Sequence, residues 1–145
     1  MFTIPLDDRE IRIPVNWPII APEAFSKPER QNFLDCMDSI PRMAALAKET
    51  IRLEFSRRTL FRHRIRNKAL RDFAAAAADT VPGLGAGSCE DLLRILTLCA
   101  VDFGQGPCGE FCCELYFRFG PAGTPTLAAE FREPGRISDF YFHNN

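Results

Sequence analysis

The sequence predicts an α+β fold in which an N-terminal arm and a helical half pack on one face of a C-terminal antiparallel meander of about four strands. From residue 26 to residue 79, apolar residues recur at spacings of three and four, which is typical of helices. From residue 97 to residue 142 they mostly alternate with polar residues, which is typical of half-buried strands. Because no repeat or linker separates the halves, we expect residues 1–145 to form a single domain with one core.

The N-terminal part of the chain predicts an extended arm followed by helices. Residues 1–22 contain four prolines, and only residues 10–15 (EIRIPV) alternate clearly, with Pro14 confining such a strand to a sheet edge. From Ser26 the pattern is helical, and Pro28 suits the first turn. Pro41 ends or kinks this helix and begins the next. Residues 41–79 fit either one kinked helix or two.

The C-terminal half begins with a short helix at residues 88–96, since Ser88 and the acids that follow it are typical of a helix N-terminus. The meander follows at residues 97–142, and Glu133-Pro134-Gly135-Arg136 favours a type II turn between its last two strands. On its best-defined strand, one side is apolar and is expected to face the core: Phe111, Cys113, Leu115, Phe117 and Phe119. The other side carries Cys112, Glu114, Tyr116 and Arg118.

Composition and charge restrict the function classes. The N-terminus has no signal-peptide pattern, and no apolar run approaches the roughly 18 residues of a membrane-spanning helix, so we expect a cytoplasmic protein with no membrane partner. The six cysteines are then expected to be reduced. The net charge is only −1, but residues 52–71 carry eight Lys/Arg and one Glu. The basic residues therefore form a local cluster.

The residues that usually carry chemistry do not form a recognisable catalytic or metal site. Cys108, Cys112 and Cys113 lack the second ligand pair of a structural zinc site, and adjacent cysteines on a strand point to opposite faces. A nucleophilic pair of Cys112 or Cys113 with His143 lacks an orienting third group. Residues 83–87 (GLGAG) lack the spacing of a dinucleotide-binding fingerprint. We therefore expect no enzyme, no cofactor and no metal.

Two surfaces are candidates for binding a partner. The polar side of the meander offers Tyr and Arg, which often carry binding energy at protein interfaces. Its candidate residues are Glu114, Tyr116, Arg118, Glu130, Arg132, Asp139 and Tyr141. The alternative is a nucleic-acid-binding regulatory protein that uses a basic helix over residues 57–71. Its candidate residues are Arg57, Arg58, Arg62, Arg64, Arg66, Lys68 and Arg71.

The layout over residues 28–142 resembles small bacterial α+β domains that serve as immunity proteins of polymorphic toxins and of contact-dependent or type VI secretion effectors. The resemblance rests on paired helices from Phe33 to Phe55, a short helix from Ser88 to Leu93, and the strands containing Val101-Asp102-Phe103, Glu114 to Phe117, Ala128 to Phe131 and Gly135 to Asp139. It implies stoichiometric inhibition of a cognate toxin in the cytoplasm, without catalytic residues. The two edges of an open meander also leave room for a homodimer.

Overall fold

The computed structural model describes residues 2–6, 9–13, 15–16, 25–55, 67–84, 89–106, 108–120 and 123–143. In these ranges four helices precede a C-terminal antiparallel meander, so the α+β prediction is confirmed. Within the same ranges, no helix combines the length and the apolar character needed to cross a membrane.

Two of these helices begin at residues whose side chains cap them. Helix α1 (Lys27–Asp38) starts with a capping box, in which the Ser26 hydroxyl accepts from the Glu29 amide and the Glu29 carboxylate accepts from the Ser26 amide. Helix α2 (Ile40–Phe55) follows after one residue, with Pro41 in its first turn. Helix α3 (Lys68–Thr80) is capped by Asn67, and helix α4 (Cys89–Ile95) is short. Residues 56–66, between α2 and α3, lie outside the described ranges.

The meander consists of four antiparallel strands in sequence order. They are β4 (Thr97–Gln105), β5 (Phe111–Arg118), β6 (Thr126–Glu133) and β7 (Arg136–His143). The N-terminal part adds more strands than the sequence predicted: β1 (Phe2–Leu6) and β2 (Arg9–Ile13) form a hairpin, and β3 (Val15–Asn16) pairs in parallel with β4. The pattern of residues 2–6 did not reveal β1, because so short a segment becomes a strand through its partner.

The helices pack on the Phe-rich face of the sheet. Helix α1 contacts β5 and β6, while α3 contacts β6 and β7. Phe33 of α1 lies 5.3 Å from Phe103 and 5.7 Å from Phe111 between ring centroids, in edge-to-face geometry. Phe73 of α3 lies between Phe119 and Phe142, tilted against the first ring and edge-to-face with the second. The predicted core side of β5 is buried throughout, so the opposite side of the sheet is the polar one.

Candidate functional site on the polar face of the sheet

The centre of the polar face is a row of four carboxylates that crosses all four strands of the meander. Asp102 of β4 is the register partner of Glu114 of β5. Glu114 pairs with Glu130 of β6, and Glu130 pairs with Asp139 of β7. Side chains at directly opposed positions lie close together, and like charges there repel. We call these four residues the acidic row.

A second row places two tyrosines beside the acidic row. Tyr116 and Tyr141 flank Ala128, which is their register partner on β6. The Tyr116 hydroxyl donates to Glu114 at 3.2 Å, and its ring lies 5.8 Å from the ring of His143. Tyr141 is 40% exposed. The apolar rings of both tyrosines thus lie beside the carboxylates, and their hydroxyl groups face the acids.

Partial burial and neighbouring negative charges raise the pKa values of Glu114 and of both tyrosines. Desolvation raises the pKa of Glu114, and Glu130 and Asp102 raise it further, while the hydrogen bond from Tyr116 acts against them. The pKa of Tyr116 is also raised, first by desolvation and then by Glu114 and Asp102. The raised pKa of Glu114 thus reflects both its partial burial and the neighbouring negative charges.

A bulge in β7 holds the most buried carboxylate of the row. Glu130 is 7% exposed, and the Ser138 hydroxyl lies 2.8 Å from its Oε1 and 3.1 Å from its backbone oxygen. The register shifts here because Asp139 pairs with Glu130 while Ile137 pairs with Phe131, which leaves Ser138 as the extra residue. Arg132 lies 3.8 Å from Glu130 and forms a closer ion pair with Glu110 at 3.1 Å.

The seven residues predicted from the sequence differ in their accessibility. All of them lie on the strands as expected, and β5, β6 and β7 bring Glu114, Glu130 and Asp139 into one row. Arg132, Asp139 and Tyr141 are exposed, while Glu114, Tyr116 and Arg118 are half-buried. Glu130 is buried, and the Ser138 hydroxyl of β7 donates to its carboxylate.

Three residues of this face were not among the candidate residues predicted from the sequence. Asp102 completes the acidic row, Ser138 fills the bulge, and Cys112 lies beside the two central glutamates. Alternation alone placed Cys112 on the polar side, but no local pattern shows which residues of other strands it meets. Asp102 carried a signal in the alternation of Val101, Asp102 and Phe103, whereas nothing in the sequence marks the bulge at Ser138.

Most of the predicted basic surface falls outside the described ranges. Arg57, Arg58, Arg62, Arg64 and Arg66 are all in residues 56–66. Lys68 and Arg71 are exposed on α3, and Lys68 forms an ion pair with Asp72 one turn further along the helix. A shallow groove of about 610 Å³ runs between the start of α3 and β7, lined by Lys68, Asp72, Asp139, Tyr141 and His143. It joins the polar face at the edge of the sheet.

The cysteines occupy different environments. Cys36 of α1 and Cys113 of β5 are fully buried, and a hydrogen bond between their side chains is the main cause that raises the pKa of Cys113. Cys112 points to the polar face, so the predicted opposite directions of the adjacent pair are confirmed. Its pKa is raised to about 11 by desolvation and by Glu114, Glu130 and Glu110.

The described residues thus form an α+β fold, and the polar face of its sheet carries a strongly acidic surface that two tyrosines border. Comparison with known proteins gives no match, whether to a protein-family model, to a curated protein or to a solved structure.

Proposed function

We propose that this protein is a bacterial immunity protein that binds a cognate toxin or secreted effector, such as one of a type VI secretion system, and neutralises it in the cytoplasm through the polar face of the sheet. The acidic row with its two bordering tyrosines carries the proposal. Four carboxylates in register repel one another, so this arrangement reduces the stability of the sheet. Such a cost is typical of functional surfaces.

The chemistry of the face indicates a basic partner. The acidic row attracts Lys and Arg side chains, which accelerates association when the partner carries a positive patch. Toxins that act on nucleic acids present such patches, because they must contact phosphates. Tyr141 supplies a large amphipathic ring with few rotatable bonds, which is favourable at the centre of an interface.

The residues of the polar face contribute to binding in different ways, depending on their exposure. Asp139, Tyr141 and Arg132 are exposed and offer direct contacts. Glu114 and Tyr116 lie deeper and are linked by a hydrogen bond, so they hold the charge in place rather than reaching outward. Glu130, which is buried, adds negative potential without touching a partner.

Co-expression with the product of a toxin gene encoded next to this one tests the proposal. We expect growth to be rescued and a complex of fixed stoichiometry to co-purify, as measured by light scattering after gel filtration. The same measurement on the free protein tests the predicted homodimer, for which β7 is an available edge strand. A toxin that still kills the co-expressing cells and does not co-purify contradicts the proposal.

Matched variants locate the interface. Asp139→Lys on the face should weaken binding by about tenfold or more and slow association most strongly at low salt, whereas Glu54→Lys on the exposed side of α2 should change little. Tyr141→Ala should cost a similar factor, compared with Leu53→Ala at another exposed apolar side chain. If the face variants bind the toxin as tightly as their controls, the interface lies elsewhere on the protein.

The nucleic-acid alternative makes a different prediction. If the basic cluster binds phosphates, the protein is retained on immobilised DNA with a steep salt dependence, and the triple variant Arg62→Ala, Arg64→Ala, Arg66→Ala elutes early. If the acidic face is the binding surface, this triple variant still binds and neutralises the toxin. The two functions are therefore separated by one set of variants.

A further inference from the structure

Three metal-ligating side chains converge at the centre of the polar face. Cys112 and Glu114 are two residues apart on β5 and share a face, and Glu130 lies directly opposite Glu114 on β6. The Cys112 sulfur and one carboxylate oxygen from each glutamate all lie within 4.8 Å of one another. Two strands therefore present a thiol and two carboxylates to a single point.

The environment of Cys112 adds an observation that is independent of the acids. Cys112 is 5% exposed, and within the described part of the chain its thiol makes no hydrogen bond. The negative charges of the two carboxylates do not stabilise a buried thiol that lies between them. Arg132 approaches Glu130 only to 3.8 Å and is more closely paired with Glu110, so it does not bridge the three side chains.

We propose that Cys112, Glu114 and Glu130 bind a divalent transition-metal ion, with Zn²⁺ as the best fit. A thiolate with two carboxylates suits zinc, which accepts sulfur and oxygen ligands, whereas Mg²⁺ and Ca²⁺ prefer oxygen alone. In a tetrahedral zinc site, ligand atoms lie roughly 3.5 Å apart, as follows from the usual bond lengths. The register of β5 and β6 places the three residues on one face, and metal binding requires their side chains to rotate toward a common centre.

Metal binding requires one proton to leave this site. The Cys112 S–H bond breaks, the sulfur binds the metal as a thiolate, and the proton passes to solvent, while the glutamates bind as carboxylates. Three protein ligands leave one tetrahedral position for water. Because the new thiolate offsets part of the ion's charge, the net charge of the site changes only from −2 to −1, and the ion joins β5 to β6. Asp139 and Tyr141, at the exposed side of the face, take no part in the coordination.

Metal titrations of the full chain test this site without any partner protein. We expect one equivalent of Zn²⁺ to bind in competition with a chromophoric chelator, and one equivalent of Co²⁺ to give a thiolate-to-metal charge-transfer band. Cys112→Ser should abolish that band, and Glu114→Gln with Glu130→Gln should weaken zinc binding by about 100-fold or more. Cys108→Ser removes an exposed thiol and should leave both results unchanged.

Other outcomes overturn the site. The proposed site is wrong if micromolar Zn²⁺ does not bind stoichiometrically. It is also wrong if the cobalt band survives Cys112→Ser or disappears in Cys108→Ser. Circular dichroism of each metal-free variant shows whether it is folded. If Cys112→Ser does not fold, the Glu114→Gln and Glu130→Gln variants decide, since they retain the thiol. Because no toxin is present, failure here leaves the proposed immunity function standing.

Discussion

Glu114 and Glu130 face each other directly across β5 and β6, at the middle of a sheet surface where neither side chain is fully solvated. A Tyr116 hydroxyl stabilises the first carboxylate, and a Ser138 hydroxyl stabilises the second. Within the described residues, every buried side-chain oxygen and nitrogen has a hydrogen-bond partner. Both carboxylates thus have hydrogen-bond partners, while their like charges repel each other.

Removing one charge of this pair should stabilise the metal-free protein. We expect Glu114→Gln to raise stability at neutral pH by about 0.5 to 1 kcal/mol, because the amide oxygen still accepts from Tyr116 while the repulsion disappears. The pKa of Glu114 is raised in the folded state, so the wild type loses stability as pH rises from the usual Glu value through the raised one. The advantage of the variant should therefore shrink as pH falls below that window.

Thermal unfolding in chelator-containing buffer at several pH values measures this effect. Glu54→Gln, at an exposed position of α2, is the matched control and should change the melting temperature little at any pH. A Glu114→Gln variant that is less stable than the wild type at neutral pH would show that the carboxylate is stabilising where it stands.

Glu29 joins the start of α1 to the start of β5. Its carboxylate accepts from the Phe111 amide at 2.7 Å and from the Ser26 amide at 3.2 Å, and the bond from Phe111 is the main reason that its pKa is lowered. Glu29→Ala should lower the melting temperature more than Ser26→Ala, which removes only the capping oxygen and costs about 1 kcal/mol.

The contribution of Glu29 should depend on pH. Because its folded pKa lies below the usual value of 4.5, the contribution is fully present above that value and is lost as pH falls through the lowered pKa. Thermal melts of the wild type and Glu29→Ala should therefore converge in acid. A difference that stays constant down to the acid limit of folding would contradict the role of the charge.

Phe73 anchors α3 to the sheet. It is fully buried and contacts the rings of Phe119 and Phe142. Phe73→Ala should reduce the free energy of unfolding by about 3 to 5 kcal/mol, because it removes apolar contacts and leaves a cavity. Urea denaturation measures the loss, and Leu53→Ala at a side chain that is 68% exposed should change it by less than about 0.5 kcal/mol.

The thiols should react in an order set by burial and pKa. Cys108 is exposed and should be alkylated first in the folded protein. Cys89 and Cys112 are buried with pKa values of about 11, so only about a thousandth of each is ionised at pH 8. Mass spectrometry after timed alkylation should show one fast site, with Cys36 and Cys113 labelled only in denaturant. Fast native labelling of Cys113 would contradict its place in the core.

Much of the fold follows from local pattern. The alternation along β5 placed every second residue from Phe111 to Phe119 in the core and Cys112 on the other side, because successive side chains of a strand point to opposite faces. Ser26 and Pro28 marked the start of α1, since both residues suit the first turn of a helix. The hairpin of β1 and β2 did not follow, because such short strands depend on each other.

The sequence by itself therefore determined that helices precede the meander strands, and which side of β5 is polar. Only the tertiary structure decided that Asp102, Glu114, Glu130 and Asp139 form one row, that Glu130 is buried, and that Cys112 lies beside two carboxylates. The reason is that alternation is a local property, whereas register joins residues far apart in the chain. A bulge at Ser138 is enough to change which residues of β6 and β7 meet.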